Sequence, residues 1–437
     1  MRLAPRVVAC ALVGLLAACS GSPTVTPPPP GNFPSVVTIS PRGDVSGVLY
    51  RIGTGAWTAG ALHTTTQFTV PVGTTTYSVA FACSGPYEND QTVVNLAVTD
   101  TLVVPAVCAG DALPLYIVAP SIVSGTFDAT AVGATSALVS ATLDHAHISV
   151  ASAAGSYANL VTDYGHQTYV VAGKNGAGDF VGFKTLHGVL AGFNAQTINF
   201  PTMTTADAAV PEPLTVTGAT GSQNAIGVAY LLDGTDNGFY VTRAGHTTYS
   251  GLPAADWAAS DSYGVFAESF DTIGNDQFGT LHLGRTAATA PVAVMLPTLG
   301  HIAISHADLS LPLTYAGLSS SDVAKGYLLA EFDGPTPPEY DIATPAFLAG
   351  KSSYGPPSFV GQSGFVTKTV ANVTTAEYGI MGFSFQPSPI STTYLGGFPP
   401  PGQSVEAYLS VYSPSAAPGS RLRLMQRDRV PVGVFQP

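Results

Sequence analysis

The apolar positions of this chain recur with a period of two rather than 3.6. In "TTQFTVPVGTTTYSVAFAC", the large apolar residues Phe68, Val70 and Val72 fall at every second position, and Tyr77, Val79 and Phe81 do so again beyond a Pro-Gly break. Successive side chains of a strand point to opposite faces, so such alternation predicts strands with one face on a core. In "TYVVAGKNGAGDFVGFKTL", the apolar-rich runs Thr168–Ala172 and Phe180–Leu186 flank a Lys-Asn-Gly-Ala-Gly-Asp turn rich in residues that tolerate positive φ. That predicts a hairpin. Long helical periodicity is absent. Only "LPAADWAAS" around Trp257 and "SSSDVAKGY" ending at Tyr327 read as single helical turns, the second capped by Ser319 or Ser320.

The strand pattern repeats on a longer scale. "PLTVTGATGSQNAIGVAYLLDG" from Pro213 and "PLTYAGLSSSDVAKGYLLAEFDG" from Pro312 share their Pro-Leu-Thr start, their Tyr-Leu-Leu at Tyr230 and Tyr327, and their Asp-Gly close at Asp233 and Asp333. Pro114 and Leu115 suggest a third copy. A second ruler comes from "TLVVP" ending at Pro105, "TINFP" ending at Pro201 and "VMLP" ending at Pro297. Both rulers give a period of about 100 residues, too long for a solenoid and close to one β-sandwich domain. The expected fold is all-β: tandem antiparallel β-sandwich domains of the immunoglobulin-like kind. The units run 35–110, 111–205, 206–300 and 301–437, the last with a C-terminal extension.

The first 34 residues follow another rule. Arg2 and Arg6 form a positive start, Val7 to Leu16 an apolar run, and Ala17 and Ala18 stand before Cys19. A spanning helix needs about 20 apolar residues, so this shorter run predicts a secretion signal over 1–18. Leu16, Ala17, Ala18 and Cys19 resemble the lipobox of bacterial lipoproteins. That resemblance implies that Cys19 becomes an acylated first residue and a membrane anchor, and Ser20 after it resembles lipoproteins sent to an outer membrane. Residues 19–34, with Pro27 to Pro30, then form a semi-rigid Pro-rich tether. With its tandem sandwiches, the chain resembles bacterial surface lipoproteins built from immunoglobulin-like modules.

Charge narrows the choice of partner. The leader holds two of the 15 basic residues and none of the 27 acidic ones, which leaves the mature chain at −14. Nucleic acid is therefore not an expected partner, because its binding relies on Lys and Arg displacing counterions. With Cys10 discarded and Cys19 acylated, Cys83 and Cys108 are expected to pair in an oxidising compartment and to close the first β-domain. The closed loop would contribute about 3 kcal/mol.

Candidate chemistry is sparse. No G-x-S-x-G, H-E-x-x-H, P-loop or C-x-x-C motif occurs, and "GQSG" at Gly361 to Gly364 is half an elbow at most. His145 and His147 would share a strand face and so could both reach one metal ion, with Asp163 or His166 as further ligands. Asp233, Asp236 and Asn237 offer the hard oxygens that calcium prefers, although tight turns use the same residues. His187 and His282, each ending a "TLH", read as one inherited structural position. Arg42, Gly43 and Asp44 spell an adhesive tripeptide that turn chemistry also explains. Arg421, Arg423, Arg427 and Arg429 form a basic face for anionic lipid or polysaccharide, or for the protein's own acidic surface.

Together these features predict a non-enzymatic, lipid-anchored cell-envelope protein with a structural or binding role and no cofactor. Its partners would be the membrane, through acyl chains, and envelope proteins or polysaccharide. One alternative is a carbohydrate-active or other hydrolytic enzyme with an interdomain site drawn from Asp256, Asp261, Glu268 and Glu339. The other is a calcium-dependent adhesin. Strung in a row, four units would reach on the order of 100 Å.

Overall fold

A computed structural model describes residues 35–42, 45–62, 64–71, 74, 76–85, 88–97, 103–107, 121–141, 147–162, 165–192, 195–232, 238–274, 276–287, 289–297, 303–313, 327–383, 399 and 401–412. These residues are nearly all β. The first unit comprises β1 (Ser35–Arg42), β2 (Val45–Ile52), β3 (Thr58–Ala59), β4 (Thr66–Val70), β5 (Tyr77–Gly85), β6 (Glu88–Ala97) and β7 (Val103–Val107). The second comprises β8 (Ser121–Asp128), β9 (Ser136–Ala141), β10 (His147–Val150), β11 (Ala154–Thr162), β12 (Gly165–Lys174), β13 (Phe180–Ala191) and β14 (Gln196–Thr197). The third comprises β15 (Val210–Thr217), β16 (Gln223–Leu231), β17 (Gly238–Tyr240), β18 (Thr248–Gly251), β19 (Ser262–Ile273), β20 (Asp276–Thr286) and β21 (Val292–Met295). The fourth comprises β22 (Leu311–Pro312), β23 (Tyr327–Asp333), β24 (Glu339–Ala343), β25 (Ser353–Tyr354), β26 (Thr375–Phe383) and β27 (Ser404–Tyr412).

One connection scheme recurs in every unit. The first strand pairs antiparallel with the fourth and parallel with the seventh, as in β4-β1-β7, β11-β8-β14 and β18-β15-β21. The second strand sits between the third and fifth, and the fifth pairs with the sixth, as in β10-β9-β12-β13. The fourth unit repeats this through β22-β25 and β24-β23-β26-β27, and the residues after β27 lie outside those described. The sandwich expectation holds. Within it, the first strand joins the fourth and seventh, whereas in an immunoglobulin constant domain it joins the second.

The two sequence rulers meet this scheme differently. Pro105, Pro201 and Pro297 fall within or just after a seventh strand, where a residue without an amide donor is tolerated at a sheet edge. Pro213 lies in β15 and Pro312 in β22, both first strands. Pro114 and Leu115 lie outside the described residues, and the described part of the second unit's first strand is Ser121–Asp128. The 168–186 hairpin is β12–β13, with Asn175 Oδ1 accepting from the Ala177 and Asp179 amides at 2.9 and 3.0 Å. The turn before Trp257 is a single 3-10 turn, Ala254–Asp256.

The units do not form a string of separate beads. Their second sheets join into one twelve-stranded sheet, β17-β16-β19-β20-β27-β26-β23-β24-β6-β5-β2-β3, that runs through the third, fourth and first units. The joints are β20 with β27, antiparallel, and β24 with β6, parallel. The sheet ends on β17 and β3, both very short, which limits the unpaired backbone exposed at its edges.

Face-to-face packing completes the block. Val48, Val79, Phe81 and Val93 point into the first unit's own core, while Leu49, Ala80, Ala82, Val94 and Leu96 enter the core of the fourth. Likewise Val139, Tyr169 and Val171 fill the second unit, while Leu138, Val170 and Ala172 pack with the third. Strands covered on both faces read as continuous apolar runs, which is why "YSVAFAC" and "TYVVAG" contain so few polar residues. Each buried Val or Leu contributes roughly 1.5–3 kcal/mol, so neighbouring units stabilise one another substantially. Among the described residues no helix is long and apolar enough to cross a membrane.

Candidate functional site

Two groups of buried charged residues lie at seams between units that share a core, apart from Asp276, Arg285, Glu331 and Glu377, which are buried elsewhere in the sheet. At the seam of the second and third units, β13 presents Lys184, and two 3-10 turns present acids to it. Asp207 ends the turn Thr205–Asp207, which is closed by a capping box with Thr204, and Asp256 ends Ala254–Asp256. The Lys184 ammonium lies 2.6 Å from Asp207 and 3.3 Å from Asp256. Burial works against its charge, but the two carboxylates more than offset this and hold its pKa above the usual lysine value. Burial also opposes the Asp207 charge. Hydrogen bonds from Lys184 and Thr204 outweigh that effect and bring its pKa below the ordinary carboxylate value. For Asp256 burial wins, so its pKa is raised.

Beside this bridge, Asp261 Oδ2 accepts from Tyr230 at 2.8 Å and from the Ala258 amide at 2.9 Å. His187 Nε2 is 3.8 Å from the same oxygen, and its Nδ1 is 3.2 Å from the Thr168 hydroxyl. These groups tie β13 to the loop before β19. Protein donors hold most of these carboxylate oxygens, as in a structural ion network, and the hydroxyl beside His187 is that of Thr168.

The second seam lies between the first and fourth units. Glu339 and Asp341 stand two apart in β24, so both face the fourth unit's core, and both are essentially inaccessible. Tyr354 donates to Asp341 Oδ2 at 2.5 Å. The buried Lys368 donates to the Thr336 hydroxyl at 3.0 Å and to the Pro337 carbonyl. From β2, Arg51 donates to the Ser78 hydroxyl at 3.3 Å and lies 4.5 Å over the Trp57 ring, whose Nε1 donates to the Ser358 carbonyl at 2.9 Å. Burial, then the neighbouring Asp341 charge, pushes Glu339 well above the usual range. Burial pushes Asp341 up to about 7 despite the Tyr354 hydrogen bond.

The sequence candidates are dispersed. His147 is exposed on β10, while His145 and Asp163 are outside the described residues. His166 Nδ1 lies 2.9 Å from the Gly188 carbonyl. Asp233, Asp236, Asn237, Cys10, Cys19, Cys108, Arg421, Arg423, Arg427 and Arg429 also fall outside, and the described residues contain no cluster of three metal-ligating side chains. Cys83 is buried in β5 opposite Val45. Arg42 closes β1, with Gly43 and Asp44 outside the described residues. "GQSG" forms a turn in which Gly361 and Gly364 take positive φ and the Gln362 amide donates to the Phe359 carbonyl.

Of the four acids considered for an interdomain site, Asp256 and Asp261 share the first seam. Glu339 belongs to the second, and Glu268 faces away from the third unit's core on β19, opposite Leu281. His187 and His282 do occupy a common place, the sixth strand of their units. Sequence reasoning passed over Lys184, Lys368, Arg51, Asp341 and Tyr354. A visible signal for one of them was "EYDIA", with two acids at strand spacing inside an apolar run.

Comparison with known proteins adds little. No protein-family model and no curated protein matches the chain. Among solved structures, a Ca2+-stabilised adhesin that helps an Antarctic bacterium reach out and bind ice aligns over 88% of this chain and 99% of its own, at 11% identity and a TM-score of 0.14. A likeness that slight supports no functional argument.

Proposed function

We propose that the chain is a non-enzymatic envelope protein, in which a lipid-anchored block of four β-sandwich units at 35–110, 111–205, 206–300 and 301–437 serves a structural or binding role. The observation that carries this reading is the use made of its buried charge. At the first seam Lys184 of the second unit bridges Asp207 and Asp256 of the third, while Tyr230 and the Ala258 amide hold Asp261; at the second, Trp57 of the first unit donates to the Ser358 carbonyl of the fourth. Residues 1–18 act as a secretion signal, Cys19 as the acyl attachment point and 19–34 as the tether, which places the block at the outer membrane or cell surface. Its binding partners are envelope proteins or polysaccharide, reached through loops and the basic residues Arg421, Arg423, Arg427 and Arg429.

The test is metabolic labelling with an alkyne fatty acid followed by detergent phase partition. The wild-type chain is expected to be labelled and to enter the detergent phase, and Cys19→Ser to be unlabelled and aqueous. Equal labelling of the two would refute the anchor.

A Cys83–Cys108 disulfide belongs to the same reading. Cys83 lies opposite Val45, and Val107 opposite Arg42, with only Gly43 and Asp44 between those two partners. Cys108 directly follows Val107 in the chain, which supports the pairing. Thiol labelling of the unfolded, unreduced chain is expected to find no reactive thiol at either position.

A further inference from the structure

Glu339 and Asp341 pose a problem of proton accounting. Both Glu339 oxygens and Asp341 Oδ1 are buried without a hydrogen-bond donor. Two ionised carboxylates offer each other no donor, whereas a single shared proton supplies one. The charges of Lys368 and Arg51 favour the ionised carboxyls without overcoming burial, and their hydrogen bonds go elsewhere, those of Lys368 to Thr336 and Pro337 and that of Arg51 to Ser78. Asp333 lies toward Lys368, Lys351 toward Arg51, and Tyr378 toward Tyr354. Glu331 and Glu377 are cross-strand partners on the opposite face of the sheet.

The location gives this pair leverage. One edge of β24 pairs with β23, and the other forms the parallel joint to β6, with Glu339 opposite Thr92 and Asp341 opposite Val94. We propose that the Glu339–Asp341 pair is a proton-operated latch on the joint between the first and fourth units, closed while the carboxyls share a proton and loosened when it leaves.

The direction follows from linkage. Burial raises both carboxyls in the folded chain, so between the ordinary carboxylate value, about 4, and about 7 the folded state holds protons that the unfolded state has lost. The stabilisation is therefore complete at low pH and falls as pH rises through that window.

The test is hydrogen exchange and thermal unfolding of the full chain in detergent at pH 5 to 8. With intrinsic rates corrected, exchange in the β6 and β24 peptides should accelerate at least about tenfold across the range, while β12–β13 changes far less. Glu339→Gln should flatten both that response and the fall in Tm. An unchanged pH response in Glu339→Gln, or none in the wild type, would overturn the proposal. Should the variant fail to fold, infrared spectroscopy of the wild type decides. A protonated carboxyl stretch present at pH 6 and lost by pH 9 supports the latch, and its absence at pH 6 overturns it.

Discussion

Lys184 stands between two carboxylates that burial treats differently. Replacing it with alanine leaves Asp207 and Asp256 facing each other across a partly dry seam. Breaking a fully buried pair costs roughly 3–5 kcal/mol. The Lys184 side chain keeps 22% of its exposure, so about 2 kcal/mol is the expected loss at pH 7 by chemical denaturation. Because Asp207 has a lowered pKa, its contribution is present above the ordinary carboxylate value and is lost as pH falls through the folded value. The gap between wild type and Lys184→Ala should therefore narrow below pH about 4.

Tyr354→Phe tests the second seam at the same scale. It removes the donor to Asp341, and an unmade hydrogen bond to a buried group costs about 1–3 kcal/mol. Since that bond lowers the Asp341 pKa, the variant should also hold its proton to higher pH, which a carboxyl infrared titration would report. Little of either site was readable in advance. Asp256, Asp261 and Glu339 are recognisable as acids among apolar neighbours, but Lys184 is 72 positions from Asp256 in the chain and Arg51 is further still from Asp341. Only the packing of whole units brings them together.

At the scale of the element, glycines pair with aromatic rings across the central sheet. Gly227 is opposite Phe266, and Gly279 is opposite Phe270. A Cβ at Gly227 would lie 2.0 Å from Phe266 Cε1, so the ring must move to admit it. Gly227→Ala is expected to cost about 1–3 kcal/mol by overpacking. Gly176→Ala, in the β12–β13 turn where a Cβ meets nothing, should change stability by less than about 0.5 kcal/mol. Equal effects in thermal unfolding would show that the ring does not rest on the glycine.

Elements were the most legible level of the chain. The alternation of Phe68 with Val70 and of Tyr77, Val79 and Phe81 corresponds to buried positions of β4 and β5, and the turn at Asn175 joins β12 to β13. Alternation failed to reveal the second buried face. Ala80 and Ala82 look like neutral spacers in sequence, yet their small size lets the fourth unit's core pack against β5. The break after Val70 was also ambiguous: β4 pairs with β1 and β5 with β2, so the chain crosses between sheets there.

At the scale of the molecule, the hundred-residue period was visible because unit-ending prolines and Tyr-Leu-Leu segments survive between copies. The lateral joints were not, since β20–β27 and β24–β6 carry no motif and depend on edge geometry alone. A row of beads and a fused block share the same sequence period but differ in size. For the 378 residues from Ser35 to Tyr412, compact packing predicts a radius of gyration of about 21 Å, whereas four separate units in a row would exceed about 30 Å.

Small-angle scattering from the mature, unacylated chain separates these directly. The fused twelve-stranded sheet predicts a value within a few ångströms of the compact figure, allowing for the tether, and a single-peaked distance distribution. A value above about 30 Å with regularly spaced shoulders would contradict it.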